Sequence, residues 1–144
     1  MILYINTSIR EYLEFALVNK SPQLNGKCGD KGKVFFLRRK VGIRQSEKAL
    51  SLLNSFLKKN KFKLEDVKKI VVNRGPGSFT SVRLGIVLAN TLSFGLKIPM
   101  VGIYNLELKN DEDYLNLNKL KFSQDFIKPY YDRDPDITKS KKLK

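Results

Sequence analysis

Histidine and tryptophan are absent from this chain, and cysteine occurs once, at Cys28. Without histidine there is no Ser-His-Asp triad, no Cys-His dyad and no imidazole metal ligand. One cysteine can form neither an internal disulfide nor a thiolate zinc site, and it fits a reducing compartment. Any chemistry would rest on carboxylates, lysines or a bound nucleotide with its metal. Acids are scarce: 14 Asp and Glu stand against 28 Lys and Arg, a formal charge of +14. That field attracts polyanions whatever their sequence. No apolar run approaches the ~18 residues of a membrane span. Met1-Ile2-Leu3-Tyr4-Ile5-Asn6 has no basic region ahead of its apolar residues, so it reads as a first strand and not as a signal peptide. The expectation is a cytoplasmic, soluble chain with no membrane partner. At 144 residues it makes one ordinary domain, able to bury on the order of 70% of its unfolded surface.

What is present is a β-rich first third followed by alternating helix and strand. Residues 2–7, 12–18 and 33–38 are β-branched and aromatic runs bounded by turn residues, hence three strands. Then the period changes. Ala49, Leu50, Leu53, Phe56 and Leu57 recur at helical spacing, which predicts a helix over 46–60 with Ser46 as N-cap. A helical turn is expected at Leu64-Glu65-Asp66-Val67. Strands follow at 69–73 and 99–103, the second with Pro99 at its start. Between them lies a helix over 79–95 of roughly 25 Å, with Gly95 as its C′ residue. The order β-β-β-α-β-α-β predicts an α/β fold, a mixed sheet with helices packed on it.

Two features carry information about function. The first is the joint Asn73-Arg74-Gly75-Pro76-Gly77-Ser78-Phe79-Thr80, where a strand meets a helix through a turn of two glycines and a proline. Such a turn either brings backbone N–H groups to an anion or lets strand and helix pack closely. It is neither a Walker A loop, because no Gly-Lys-Ser/Thr follows Gly77, nor the dinucleotide fingerprint, because the third glycine position is Thr80. Ser78 and Thr80 are both candidate N-caps, and Ser78 has no base to make it a nucleophile. Gly75, Pro76, Gly77, Ser78 and Thr80 are the candidate anion site, with close packing as the alternative. The second feature is the helix itself. Val82, Ile86, Ala89 and Ser93 line one face, and Leu84, Val87, Leu88, Thr91 and Leu92 cover most of the rest. A helix apolar nearly all round is buried on both sides. One side packs on the sheet, and the other expects a second helix or a partner chain.

The string Gly75-Pro76-Gly77-Ser78-Phe79-Thr80-x-x-Arg83-x-Gly85 resembles the signature of the TsaB (YeaZ-like) family of tRNA threonylcarbamoyladenosine biosynthesis proteins. Ile2-Leu3-Tyr4-Ile5-Asn6-Thr7-Ser8 is similar to the family's opening strand, and Pro99-Met100-Val101-Gly102-Ile103 to a later one. Lys128-Pro129-Tyr130-Tyr131-Asp132-Arg133 resembles its closing Pro-x-Tyr-x-Arg motif. The resemblance implies an actin-like ATPase/RNase H-like fold and a subunit without catalytic residues. Such a subunit dimerises with and activates the paralogue TsaD, works with the ATPase TsaE, and serves adenosine 37 of ANN-decoding tRNAs. ATP and Mg are then used by the complex and not held intrinsically, with a nucleotide contact at the partner interface left open.

In the family the two helices form the dimer interface. That places Leu53, Phe56, Val82, Arg83, Ile86, Ala89, Asn90 and Ser93 against a TsaD-like partner, or against a second copy when the chain is alone. A charge at Ile86 or Ala89 is then expected to abolish the heterodimer. The departures are Asn6 where the family has an acid, Gln45-Ser46 where it often has histidine, and about twenty residues where it has a second subdomain. The domain reading is therefore a single lobe over 1–106, a polar link over 107–125, and a docking motif with a basic tail over 126–144. The alternative function is a stand-alone basic RNA-binding module. Its candidate contacts are Lys58, Lys59, Lys61, Lys63, Lys68 and Lys69, and the tail Lys139, Lys141, Lys142 and Lys144, all of which surface solvation explains equally well.

Overall fold

A computed structural model describes residues 1–19 and 32–130. The tail lysines and residues 131–133 of the closing motif lie outside the described residues. Eight elements follow in order: β1 (Ile2–Asn6), β2 (Tyr12–Asn19), β3 (Lys33–Lys40), α1 (Gln45–Lys59), β4 (Lys69–Asn73), α2 (Phe79–Leu96), β5 (Met100–Ile103) and α3 (Asp111–Asn116), with 3-10 turns at 64–66 and 117–119. The sheet order is β3-β2-β1-β4-β5. β1–β2 and β2–β3 pair antiparallel; β1–β4 and β4–β5 pair parallel. Three antiparallel strands continued by two parallel ones form a mixed sheet with helices packed on it, as the sequence predicts.

β1 is buried along its whole length, as expected of a central strand covered on both faces. On one face α1 and α2 bury Ala49, Leu53, Phe56, Leu57, Val82, Ile86, Ala89 and Leu92 against Leu3, Ile5, Ile70 and Val72. Apart from shifts of a residue or two at strand ends, three expectations about helices change. Ser46 is not a cap, because α1 begins at Gln45, which turns inward and carries no side-chain cap before it. Gly95 does not end α2. The helix runs to Leu96 and the left-handed residue is Lys97, with φ of 54°. The cause is Ser93, whose carbonyl accepts from the Ile98 N–H and whose hydroxyl donates to the Ile98 carbonyl at 2.6 Å, closing the end beyond Gly95. The expectation of no membrane-length apolar segment also needs correcting. α2 has 18 residues at mean hydropathy 1.3, long and apolar enough to cross a membrane by length and composition. Here it packs on the sheet, and a core helix has the same composition.

The other face of the sheet is covered by residues read from sequence as a polar link. Asp111, Glu112 and Asp113 form the first turn of α3, where their charges oppose the helix dipole. Asn110 Oδ1 accepts from the Asp113 N–H at 3.0 Å while the Asp113 carboxylate accepts from the Asn110 N–H at 3.2 Å, a reciprocal cap. The helix buries Tyr114, and Leu117 just beyond it is buried too. Both lie on Ile2, Tyr4, Ala16, Val18 and Val71. The Tyr4 and Tyr114 rings meet edge to face at 5.7 Å. Burial, then the Glu14 charge, pushes both phenols above their ordinary value, Tyr114 to about 12. The chain then returns over the sheet edge. Ser123 bridges Met100, and Ile127 exchanges two hydrogen bonds of 3.0 Å with the Asn90 side chain on α2.

Candidate functional site

The carboxyl ends of β1 and β4, the first turn of α2 and the start of α1 converge on one polar knot. Asn6, Thr7, Ser8, Glu14, Gln45, Asn73 and Ser81 are all buried there, so each polar atom needs a partner. Asn6, where the family carries an acid, donates through Nδ2 to Glu14 at 2.7 Å. Its Oδ1 accepts from the Ser8 N–H at 3.0 Å and from the Ser8 hydroxyl at 2.7 Å. A carboxylate is thus present after all, supplied by β2, with the Arg38 guanidinium 3.4 Å from its second oxygen. Asn73 Oδ1 accepts from the Gly75 N–H at 3.0 Å, turning the chain out of β4.

Gln45 is the hub that sequence reasoning missed. Its Nε2 donates to the carbonyls of Thr7, Ile9 and Tyr12, at 2.6 Å for the last, and its Oε1 accepts from the Ser81 hydroxyl at 2.7 Å. One amide therefore fastens α1 to the β1–β2 turn and to α2. Gln45→Ala takes its partner from the buried Ser81 hydroxyl and a donor from the Thr7 and Tyr12 carbonyls, while the Ile9 carbonyl keeps the Tyr12 N–H, and is expected to lower unfolding free energy by about 2 kcal/mol. Urea denaturation checks this; a change below about 0.5 kcal/mol would mean that the amide does not hold the three elements together.

The turn itself is tightly filled. Gly75 has φ of 116°, a region that favours glycine, and the Gly75–Pro76 bond is cis. Gly77 sits against the β1–β2 turn so closely that a Cβ there would lie 2.4 Å from the Ser8 carbonyl oxygen. One helical stretch on, a Cβ at Gly85 would lie 2.5 Å from Thr7 Oγ1, and that hydroxyl donates to the Ser81 carbonyl. Ser78 caps α2, its hydroxyl accepting from the Ser81 N–H at 3.3 Å. Thr80 is exposed in the first turn and does not cap.

The residues expected at a partner interface divide in two. Leu53, Phe56, Val82, Ile86, Ala89 and Ser93 are all buried. Val82, Ile86, Ala89 and Ser93 form the stripe of α2 turned to the chain's own sheet and helix end, while Leu53 packs in the core and also lines the groove beside Leu50. Arg83 is exposed, its guanidinium 3.8 Å from the Phe79 ring centroid, and Asn90 is half-buried on Ile127. The outward surface is a different stripe. Val87 is 61% exposed, Phe94 75% and Leu50 of α1 63%. Beside Leu50 runs a groove of about 410 Å³ lined by Leu53, Asn54, Leu57, Leu64 and Leu92.

A family model described as TsaD: tRNA N6-adenosine threonylcarbamoyltransferase matches residues 40–121. Over 62 residues the chain is 42% identical to the tRNA threonylcarbamoyladenosine biosynthesis protein TsaB of Bacillus subtilis, covering 43% of this chain and 27% of that protein. It is 30% identical over 136 residues to the uncharacterized protein MG208 of Mycoplasma genitalium, covering 72% of this chain and 68% of the other. YeaZ from Pseudomonas aeruginosa superposes with a TM-score of 0.59 at 25% identity, over 73% of this chain and 44% of its own. The chain thus spans about a quarter of the TsaB relative and under half of the YeaZ structure. With the model match running over more than half its length, the chain belongs to the TsaD family of tRNA N6-adenosine threonylcarbamoyltransferases, and within it is TsaB/YeaZ-like.

Proposed function

We propose that the chain is a non-catalytic subunit of an assembly that makes N6-threonylcarbamoyladenosine in tRNA, pairing with a TsaD-like protein and activating it. The observation that carries this is large apolar side chains left exposed on both helices: Leu50 on α1, at the rim of an apolar groove, and Val87 and Phe94 together on the outer face of α2. Large side chains exposed together favour a partner. The glycine turn works as a packing joint: Ser8 fills the space beside Gly77 that a phosphate cradle would leave open, and Asn6 is committed to Glu14 and Ser8. ATP and Mg then belong to the TsaD-like and TsaE-like partners. The cytoplasm is the compartment of this work, and a second copy covers the stripe when the partner is missing.

The test is co-purification with the TsaD-like and TsaE-like proteins of the same genome, followed by a tRNA modification assay with and without this chain. Heterodimer formation and a requirement for the chain are expected. Val87→Glu should remove the heterodimer from gel filtration while the chain stays folded. Modification that proceeds equally well without the chain would overturn the reading, as would a heterodimer indifferent to Val87→Glu.

A further inference from the structure

The parallel strands β1, β4 and β5 all begin at one end of the sheet, with Ile2 opposite Lys69 and Ile70 opposite Met100. β3 begins there too, since Lys33 pairs with Asn19 while the neighbouring Val18 pairs with Ile2. α1 finishes at this end: just past it, Phe62 packs edge-on against Phe35 of β3, ring centroids 5.5 Å apart. Topology therefore collects here the lysines that the sequence scatters. Lys58, Lys59, Lys61 and Lys63 leave α1 in succession, all exposed. Lys33, Lys68 and Lys97 are exposed at the heads of β3, β4 and β5. The acids nearby are Glu65, Asp66 and Asp125, and the Asp66 carboxylate already accepts from the Lys63 N–H at 2.8 Å.

What marks this end is the density of its cations with no ion pair among them, the Lys68 ammonium donating only to the Glu65 carbonyl at 2.8 Å. Among the described residues the ion pairs are Arg38–Glu14, Lys40–Glu11, Arg44–Glu47 and Lys109–Glu107, and none involves these lysines. The Met1 amino group is held below its ordinary value, first by burial and then by Lys68 and Lys69. The aromatic rings between the cations are packed down. Phe62 is half-buried on Phe35, and the half-buried Phe122 lies under the Lys69 ammonium, 4.7 Å from its ring centroid. A lipid surface would be met by exposed apolar side chains among the cations; ammonium groups over covered rings suit phosphates.

We propose that this end of the lobe, opposite the glycine joint, contacts the phosphate backbone of a folded RNA, the tRNA of the assembly proposed above. Only the choice of tRNA rests on that functional reading; the cationic surface stands by itself. Fluorescence anisotropy of a labelled tRNA transcript, titrated with the full chain at several salt concentrations, tests it. Lys61→Glu/Lys63→Glu/Lys68→Glu is compared with Arg10→Glu/Lys48→Glu/Lys109→Glu, which changes charge equally but away from this end. The first triple is expected to weaken binding about 10-fold or more and to flatten the log–log salt slope by roughly 3, about one for each phosphate no longer neutralised. The second should weaken it less than about 3-fold and leave the slope within about one.

Equal weakening by both triples would overturn the proposal by making the binding diffuse. Absence of tRNA binding would overturn it too, as would binding to phosphatidylglycerol vesicles in place of tRNA. Circular dichroism confirms that each triple is folded. Gel filtration with the TsaD-like protein separates the two claims. A heterodimer without tRNA binding by the chain removes this inference alone, and tRNA binding without a heterodimer removes the function proposed above alone.

Discussion

Ile86→Glu is expected to unfold the chain, while Val87→Glu, one residue further along α2, leaves it folded. Ile86 is 2% exposed and packs in the cluster with Leu3, Ile5 and Val72. A carboxylate there has no cation to meet, and an uncompensated buried charge costs about 3–5 kcal/mol or more. Domains of this size have a total stability of about 5–15 kcal/mol, so one substitution removes much of it. Ala89→Glu, at 0% exposure, belongs with Ile86. Val87 is 61% exposed, and a surface change there stays within about 0.5 kcal/mol. Thermal unfolding followed by circular dichroism decides the matter. A cooperative transition for Ile86→Glu within a few degrees of the parent would mean that α2 does not present this stripe to the sheet. The contrast also fixes how interface experiments are read: a missing heterodimer after Ile86→Glu reports unfolding, and after Val87→Glu it reports the surface.

The two stripes of α2 illustrate where sequence reasoning stopped. Apolar residues cover almost the whole helix, so periodicity announces burial on two sides without saying which side meets the sheet. The discriminating signal is Gly85. It lies on the stripe of Val82, Ile86 and Ala89, at the point where the helix comes so near β1 that a Cβ would strike Thr7. A glycine inside a helix, where it is unfavourable by about 1 kcal/mol, marks close approach of a neighbouring element, here the Thr7 side chain at the end of β1. The strands and the joint were legible because β-branched runs and turn glycines speak for themselves. α3 was not, because Asp111, Glu112 and Asp113 look like a solvated link; yet Asn110-x-x-Asp113 is a capping pair, and Tyr114 and Leu117 supply the buried side. Glu14 sits inside an apolar strand with nothing local to mark it as the partner of Asn6. Gln45 matters through four hydrogen bonds, none to a residue nearer in sequence than Tyr12 or Ser81, and no local pattern encodes such a hub.

Gly77→Ala is the second large effect, and it separates the two uses that a glycine turn can have. In a phosphate cradle the glycine leaves room for a ligand, and an added methyl group would impair binding while sparing the empty protein. Here the methyl carbon would lie 2.4 Å from the Ser8 carbonyl oxygen, 2.8 Å from its Cβ and 2.9 Å from its Cα. Two of these are backbone atoms, held by the Asn6 side chain through the Ser8 N–H, so no rotamer change relieves them. Overpacking of this kind costs about 1–3 kcal/mol, and in a domain of this length each kcal/mol moves the unfolding midpoint by roughly 2–4 °C. A fall of about 2–12 °C is therefore expected with no ligand added. Ser8→Gly in the same chain should restore little, because it relieves the approach to Cβ and leaves the closer carbonyl in place. A Gly77→Ala protein with unchanged thermal stability would defeat the joint and return the turn to the anion-binding reading.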